Sequence, residues 1–469
     1  MEIEAAFLAL PGIVSAIYGE KGGFAFLWVA LGSAVAGSAI ILRKPKNMRF
    51  YLREGFVTVA LSWILMSVIG CLPFVINGDI PHFADALFEM ISGFTTTGAT
   101  VVSDVEGLTK GSLFWRSFSH WIGGMGVLVF LLAIVPMAGG SHMNLMKAES
   151  PGPSVGKLVP KVRQTAKYLY IIYFTLTMIE VIFLLFGGMN LFEALTTSFG
   201  TAGTGGFAIW NDGFVSVSPY NQWVVTIFML LFGVNFGFYF LILTGKLRDA
   251  LKFEEVRIYF IIVIAAAVFI FINLRHFALY APAEGIRQAF FQVASIITTT
   301  GFASADFNLW PETSRTILVL LMFIGACAGS TGGGIKVSRF IIACKSFIKE
   351  IISYLHPRSV KKIKIEGKPL EHETLRATNV YFMTYMVIFA VSVLLVSIEN
   401  KDLVTNFAAV AATFNNIGPG LSLVGPMENF GHFTDFTKYI LMFDMLAGRL
   451  EIFPMMLLFC PAVWKRRRA

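Results

Sequence analysis

The sequence predicts an all-α polytopic membrane protein. It begins with an N-terminal helical hairpin and continues as four tandem modules, each a long helix, a half-length re-entrant helix and a second long helix. Three observations predict this fold. The 469-residue chain is 56% apolar and 14% charged, with a mean hydropathy of +0.71, whereas soluble domains carry about 25% charged residues. Long apolar runs recur along the chain, and Thr/Gly-rich segments recur about every 100 residues. A secreted disulfide scaffold, a disordered protein and an ordinary soluble enzyme are therefore excluded.

The long helices are predicted from apolar runs of sufficient length. About 20 apolar residues cross a bilayer as a helix. The clearest candidates are 24–42, 55–77, 114–138, 168–187, 222–244, 258–274, 378–398 and 437–463. The region 316–348 is also long enough to cross, but its middle is glycine-rich, so we expect one interrupted helix there. Residues 1–50 fall outside the repeat and are assigned to the hairpin.

Between the long helices lie four segments of a different kind, each a short amphipathic helix that runs into a Thr/Gly-rich stretch. They read LFEMISGFTTTGAT (87–100), LFEALTTSFGTAGTGGFA (191–208), FFQVASIITTTGFASAD (290–306) and NFAAVAATFNNIGPGL (406–421). Their helical parts are too short to span a bilayer, which indicates re-entrant segments. We align Gly98, Gly205, Gly301 and Gly418 as equivalent positions, at spacings of 107, 96 and 117 residues. A recurring unit at such a period indicates an internal repeat.

The repeat defines five predicted units. They are the hairpin (1–50), module one (51–146), module two (147–250), module three with the interrupted exit helix (251–355) and module four (356–469). The links between modules then share one face of the membrane.

Charge placement predicts the orientation. The links and the tail 465–468 hold 28 of the 37 Lys and Arg residues, so the positive-inside rule places them, and the C-terminus, in the cytoplasm. The opposite face carries acids such as Asp104, Asp306 and Glu428, which would concentrate cations. The net charge of +8 is therefore an orientation signal, and no nucleic-acid partner is predicted.

The four Thr/Gly-rich stretches have the composition of a site for a dehydrated cation. Backbone carbonyls can replace the lost water oxygens when several loops direct them at one axis. Irregular backbone is tolerated within a membrane only where protein buries it or where it lines a watery cavity. Glycine permits the left-handed dihedrals that such loops need, and each helix before a loop directs its partly negative end at the cavity. The candidate ion-binding residues are Thr96, Thr97, Gly98, Gly203, Thr204, Gly205, Thr299, Thr300, Gly301, Asn416, Ile417 and Gly418.

These segments, together with GSTGGGIK (329–336) and GRLEIF (448–453), resemble the Trk/Ktr/HKT cation transporter superfamily, and its TrkH branch in particular. The resemblance covers roughly residues 50–464. It implies a single-chain pore with pseudo-fourfold symmetry, K⁺ as the transported and bound ion, no covalent cofactor, and a location in the inner (plasma) membrane among its lipids. It also implies a homodimer and a cytosolic TrkA-like regulatory subunit that binds nucleotides. In this superfamily a serine at the first filter position accompanies Na⁺ transport, and Gly98 at that position favours K⁺.

Two features are candidate gates. The break from Gly325 to Lys336 has five glycines among its twelve residues, and no helix should persist through it because each Gly costs about 1 kcal/mol relative to Ala. Similar proteins use this loop as a gate; a packing kink is the alternative. Arg449 lies within the predicted last span, where an arginine is costly and usually functional or paired. Asp444 and Glu451 are nearby carboxylates, and a carboxylate on another module is the alternative partner. By resemblance, Arg449 acts with the loop in the permeation path. The gate candidates are Gly329, Ser330, Thr331, Gly332, Gly333, Gly334, Lys336 and Arg449.

Three other classes of protein compete with a pore as the interpretation of this sequence. A K⁺ symporter coupled to H⁺ or Na⁺ is the closest rival, because such transporters also place sites at broken helices. A membrane enzyme is disfavoured, since the seven His never pair at metal-ligand spacing and neither an HExxH motif nor a nucleophile elbow occurs. A sensor or scaffold would have no need of four repeated glycine loops. We therefore expect a transport protein and no enzyme activity.

Overall fold

A computed structural model describes residues 1–42, 52–126, 162–356 and 362–464. Within these ranges the chain is helical apart from connecting loops and a short antiparallel pairing of β1 (Lys364–Ile365) with β2 (Lys368–Pro369). The prediction of an all-helical membrane protein is confirmed. The end of the predicted span 114–138, much of the basic links and the tail 465–468 lie outside the described residues.

The N-terminal region consists of α1 (Glu2–Ile17) and α2 (Gly23–Ile41), which pack against each other. Gly23 allows the close approach, because a Cβ at that position would lie 2.7 Å from the Cβ of Ser15. Helix α1 also packs against α5. The hairpin therefore rests on the helices that follow it.

After this hairpin, a long, a short and an exit helix follow one another four times. The long helices have 23–26 residues: α3 (Leu52–Asn77), α6 (Val162–Phe186), α11 (Glu254–His276) and α15 (His372–Val396). The short helices have 12–16 residues: α4 (Phe83–Phe94), α7 (Leu191–Gly203), α12 (Pro282–Ile297) and α16 (Leu403–Phe414). The exit helices have 13–15 residues: α5 (Lys110–Gly124), α8 (Pro219–Phe232), α13 (Glu312–Ile324) and α17 (Asp435–Arg449). The four predicted half-length helices thus occur where the sequence placed them.

Helix length and burial separate the outside of the protein from its centre. In the described part of the chain, α2 and the four long helices are long and apolar enough to cross a membrane. The long helices expose large apolar side chains, among them Phe174, Ile261 and Phe269, as lipid contact requires. The C-terminal halves of the short helices are buried. The long helices therefore enclose the short ones and the loops that follow them.

The second, third and fourth exit helices end at an irregular break within the described residues, although the sequence predicted a break only in the third. The third break is confirmed, because α13 ends at Ile324 and α14 (Val337–Leu355) begins after Lys336. The first exit helix ends at Gly124, shortly before Gly126 with a φ of 78°. These ends lie at corresponding places in the four repeats.

Two predicted continuous spans are wrong. The span 222–244 is divided into α8 and α9 (Phe236–Leu243), which are bent by 88°, because Gly233 and the Asn235 side chain, which caps Gly237 N at 2.8 Å, end one helix and start another. The span 437–463 breaks after Arg449, where Glu451 and Ile452 have a positive φ and directly precede the helix Phe453–Leu458. The remaining helices are α10 (Leu247–Ala250), α18 (Phe453–Leu458) and α19 (Pro461–Trp464).

Candidate functional site

The loops that follow the four short helices share one backbone conformation. They are loop 1 (Thr95–Gly98), loop 2 (Gly203–Gly206), loop 3 (Thr298–Gly301) and loop 4 (Asn415–Gly418). In each loop the residue at position 2 is left-handed, with a φ of 55–60°, and position 4 is a glycine with a φ of 75–93°. The amide at position 3 donates to the carbonyl five residues earlier at 2.8–2.9 Å in all four loops. Each short helix therefore ends in the same Schellman-type turn.

Position 2 stores backbone strain. It is occupied by Thr96, Thr204, Thr299 and Asn416, although glycine is the usual residue in this part of a helix end. A left-handed conformation costs an L-residue roughly 1–2 kcal/mol, and for a β-branched residue it is a clear outlier. Strain of this kind persists only when the surrounding structure imposes it, and it concentrates at functional sites.

The alignment of loop 2 predicted from the sequence is wrong by one residue. Gly206, not Gly205, has the positive φ shared with Gly98, Gly301 and Gly418. Gly205 corresponds instead to Thr97 and its equivalents at position 3. The error arose because two glycines follow Thr204. The shared Gly-Phe-Ala at 206–208 and 301–303 is the signal that would have set the correct alignment.

The four loops contact one another in a closed ring. A Cβ added to the position-4 glycine of each loop would overlap the carbonyl at position 3 of the next loop, in the order one, two, three, four and back to one. These pairs are Gly98 with Gly205, Gly206 with Thr300, Gly301 with Ile417, and Gly418 with Thr97. A side-chain bond closes the same ring, because Asn416 Nδ2 donates to Thr97 Oγ1 at 2.9 Å. The described chain thus brings all twelve predicted ion-binding residues into one cluster.

The ring is buried and rich in oxygen. The side chains of loops 1, 3 and 4 are at most 1% exposed. In loops 1 and 3 the hydroxyls at positions 1 and 3 bond to each other at 2.8 Å. The C-terminal ends of four helices lead into these loops, and helix C-termini carry partial negative charge. Carbonyl and hydroxyl oxygens in such a setting suit a cation stripped of water.

A cavity of about 120 Å³ opens on the glycine side of the ring, bordered by all four position-4 glycines, with Glu428 and Arg116 also on its wall. At its rim the segments that follow loops 1 and 2 are bonded together. Asn211 Nδ2 donates to Asp104 Oδ1 at 2.9 Å, and Asn211 Oδ1 accepts from Val105 N at 2.7 Å. The bond from Asn211 holds the pKa of the Asp104 carboxyl below its usual value. Asp104 therefore has a structural partner, while Glu428 faces the cavity.

The predicted gate loop, residues 325–336, lies against the opposite end of the ring. Gly333 N donates to Thr299 Oγ1, the position-2 hydroxyl of loop 3, at 2.6 Å. A Cβ on Gly333 would lie 2.6 Å from the carbonyl oxygen of Asn415, and one on Gly332 would lie 2.8 Å from that of Thr298. The loop thus closes the side of the ring that faces away from the cavity.

Other elements fix the gate loop from the side. The α8–α9 break bonds to it twice: Cys327 N donates to Gly233 O at 3.1 Å, and Phe236 N donates to Gly329 O at 3.0 Å. Thr331 Oγ1 donates to the carbonyl of Phe232 at 3.2 Å. The Lys336 ammonium, 2% exposed, donates to the carbonyl of Gly332. The gate residues predicted in this loop therefore occupy one bonded unit.

Glu255 is a further anchor of the gate loop that was not predicted from the sequence. It is 7% exposed, and its Oε1 accepts from Ala328 N at 2.7 Å and from Ser338 N at 3.0 Å. One carboxylate thereby ties the middle of the loop to the first turn of α14. From the sequence, an acid in the first turn of a helix is expected simply because it interacts favourably with the helix dipole. The role of Glu255 in holding the gate loop is visible only in the tertiary structure.

Arg449 joins the gate loop to the first exit helix. Its guanidinium donates to the carbonyls of Thr331 (2.9 Å), Gly123 (2.5 Å) and Gly124 (2.8 Å). The two carboxylates near Arg449 in the sequence, Asp444 and Glu451, bond to other residues. Asp444 accepts from Ser392 Oγ at 2.7 Å.

The second neighbouring carboxylate, Glu451, is bonded to Arg339, whose guanidinium also lies 3.8 Å from the ring centre of Tyr381. Both nearby carboxylates thus bond to other residues, while Arg449 donates to three backbone carbonyls. Arg449 is also the last residue of α17. The predicted position of Arg449 inside an unbroken span is wrong, because the helix ends at this residue and Glu451 and Ile452 have a positive φ.

The sequence that forms this site is similar to those of known proteins. A family model described as a cation transport protein, TrkH, matches residues 24–466. The chain belongs to the TrkH family. It is 37% identical over 471 residues to the Trk system potassium uptake protein TrkH of Escherichia coli K12, covering 98% of this chain and 96% of that protein. It is 36% identical to the TrkH of Vibrio parahaemolyticus, covering 97% of this chain and 95% of that protein.

The fold agrees with a solved structure of the family. A crystal structure of the potassium transporter TrkH from Vibrio parahaemolyticus superposes with a TM-score of 0.87 at 33% identity, covering 99% of this chain and 98% of that one. The TrkH-family fold of this chain is thereby established. The resemblance stated from the loop motifs is confirmed.

Proposed function

We propose that this chain carries K⁺ into the cell through a pore at the centre of its four repeats, which are arranged with pseudo-fourfold symmetry. The closed ring of four equivalent, strained loops is the single observation that carries this proposal. Unrelated packing turns would have no reason to share a left-handed position 2, a glycine at position 4 and contacts in cyclic order. The names of the relatives, potassium uptake proteins of the Trk system, support K⁺ as the ion.

The selectivity filter is assigned to the ring. K⁺ is coordinated by the oxygens of Thr96, Thr97, Gly98, Gly203, Thr204, Gly205, Thr299, Thr300, Gly301, Asn416, Ile417 and Gly418, with Gly206 added by the corrected alignment. Carbonyl oxygens replace part of the hydration shell of the ion. Asn416 and Ile417 depart from the Thr-rich pattern, so the filter is not chemically fourfold. Ions reach it from the cavity beside Glu428.

The gate is assigned to residues 325–336 together with Arg449. The loop lies across the inner end of the filter and is fixed to it through Thr299, so an ion leaving the filter meets the loop. Arg449 adds a positive charge on the same side and bonds to the loop at Thr331. Opening requires that these bonds break together.

The remaining assignments follow from sequence and family. The units are residues 1–50, 51–146, 147–250, 251–355 and 356–469. The chain lies in the inner membrane with its C-terminus in the cytoplasm, as the positive-inside rule indicates, and it works as a homodimer with a cytosolic TrkA-like subunit that binds nucleotides. The Trk system names of the relatives support that partner.

The test is an ion-competition flux measurement on the purified chain in liposomes, with and without the cytosolic subunit. We expect uptake driven by the K⁺ gradient alone, reduced little by excess Na⁺. A Gly98→Ser variant is expected to admit more Na⁺ relative to K⁺. Uptake that requires a H⁺ or Na⁺ gradient would replace the pore by a coupled symporter. Absence of K⁺ uptake under every gradient would refute transport altogether.

A further inference from the structure

A fully buried ion pair lies behind loops 1 and 2. Glu89 on α4 and Arg116 on α5 are 1% and 2% exposed. The Nε and Nη2 atoms of Arg116 lie 2.8 and 2.7 Å from Glu89 Oε1. Charged side chains are almost never fully buried unless they are paired. In membrane proteins a buried charge usually serves a function.

Glu89 holds the backbone that leaves loop 1. Its Oε2 accepts from Val101 N at 3.1 Å, and its Oε1 accepts from Thr100 Oγ1 at 2.9 Å. Both partners lie within three residues of Gly98. The carboxylate therefore fixes how the chain emerges from the first filter loop.

Arg116 holds the corresponding backbone of loop 2. Its Nη1 donates to the carbonyl of Ala208 at 3.4 Å. Its guanidinium carbon lies 4.1 Å from the ring centre of Phe207, which directly follows Gly206. One turn later on α5, His120 Nε2 accepts from Phe207 N at 3.3 Å. The ion pair thus joins two neighbouring filter loops through one charged unit.

The equivalent place in the other repeats is neutral. Nine residues before each position-4 glycine stand Glu89, Thr197, Gln292 and Ala409. In the third repeat, Gln292, with its amide oxygen oriented to accept, bonds to the amides of Ser304 (3.0 Å) and Ala305 (3.2 Å), just after loop 3. A neutral side chain can therefore anchor a single loop. The charge of Glu89 is needed only where Arg116 connects one loop to the next.

Resting on the proposed function, we propose that Glu89 and Arg116 form a positioning pair that sets the discrimination between K⁺ and Na⁺. A carbonyl filter selects by the spacing and field of its oxygens. Release of the pair frees the outer ends of loops 1 and 2, so their carbonyls can draw in around the smaller Na⁺. The pair acts through these loops and does not touch the ion.

The test compares the K⁺/Na⁺ uptake ratio of variants in liposomes. Glu89→Gln leaves Arg116 without its countercharge. Arg116→Lys keeps both charges, but a single ammonium lacks the planar fork that reaches Glu89 and the Ala208 carbonyl together. Thr100→Val keeps both charges and removes the hydroxyl that donates to Glu89 and accepts from Arg116 Nη2 and Val102 N. We expect the ratio to fall about tenfold for the first two variants, a difference of about 1.4 kcal/mol, and less for the third, while K⁺ uptake stays measurable.

Asp85→Asn is the matched control. Asp85 lies one turn before Glu89 on the same helix, and its Oδ1 is 2.5 Å from Lys438 Nζ, away from the loops. We expect its uptake ratio to equal that of the unmodified chain. Only variants that elute as monodisperse protein are compared.

A ratio that stays at the unmodified value in the monodisperse variants would overturn the proposal, even if total uptake falls. If the unmodified chain itself does not discriminate K⁺ from Na⁺, the proposed filter fails. The two failures are therefore distinguishable in one experiment.

Discussion

Replacement of Arg449 by alanine is expected to raise basal K⁺ flux. The guanidinium donates three hydrogen bonds, one to the gate loop at Thr331 and two to the end of α5 at Gly123 and Gly124. Arg449→Ala removes all three bonds and also the positive charge below the filter. The loop then loses its connection to the first exit helix.

The size of the effect follows from the bond to Thr331. A hydrogen bond to a charged group contributes about 1.5–3 kcal/mol, and each 1.4 kcal/mol changes an equilibrium about tenfold. If the bond exists only while the loop obstructs the path, its loss shifts the gate about 10- to 100-fold toward the open state. Basal flux should rise accordingly until the open state dominates.

The assay is uptake of radioactive Rb⁺ into liposomes that contain equal amounts of purified protein without the cytosolic subunit. Arg449→Lys should give an intermediate rate, because one ammonium cannot serve three carbonyls in this geometry. Arg275→Ala is the matched control, since Arg275 also donates to a backbone carbonyl, that of Tyr280 at 2.8 Å, but lies far along the chain from both gate elements. Unchanged or reduced uptake by Arg449→Ala would refute the barrier assigned to this residue.

Two further predictions concern the ring and the gate anchor. Gly206→Ala should lower the K⁺/Na⁺ uptake ratio about tenfold, because the added Cβ overlaps the carbonyl of Thr300. The control is Gly188→Ala, where φ is a similar 87° but the space around the residue is open, and it should leave the ratio unchanged. Equal ratios in the two variants would contradict the ring geometry. Glu255→Ala should lower the apparent Tm in detergent and raise basal flux, since the buried Ala328 amide and the part-buried Ser338 amide lose an acceptor worth about 1.5–3 kcal/mol each. An unaltered Tm and flux would argue against the anchor.

The sequence predicted the parts of the fold that depend on local composition. The lengths of the apolar runs predicted the positions of the long helices, and the recurring Thr/Gly stretches predicted the positions of the four loops. The glycine-rich break after Ile324 was predicted because five glycines among twelve residues strongly disfavour a helix. In each case the decisive signal lay within one short segment.

The features that the sequence missed depend on contacts between distant segments. The breaks after Phe232 and Arg449 occur in apolar runs whose composition permits a helix. At the first break, Gly233 O and Phe236 N form hydrogen bonds to the gate loop instead of continuing a helix. Glu89 and Arg116 lie 27 residues apart, so no local spacing pairs them. The one-residue error in loop 2 has a local cause instead: two glycines follow Thr204, and the Gly-Phe-Ala shared by 206–208 and 301–303 identifies Gly206 as the equivalent one.

The central claim is that the ring of four loops binds a dehydrated monovalent cation. An anomalous difference map of crystals grown with Rb⁺ in place of K⁺ tests it most directly. We expect peaks on the axis of the ring, enclosed by the carbonyls of Thr97, Gly205, Thr300 and Ile417. Crystals that contain Rb⁺ but show no peak within the ring, or peaks only elsewhere in the chain, would contradict the claim.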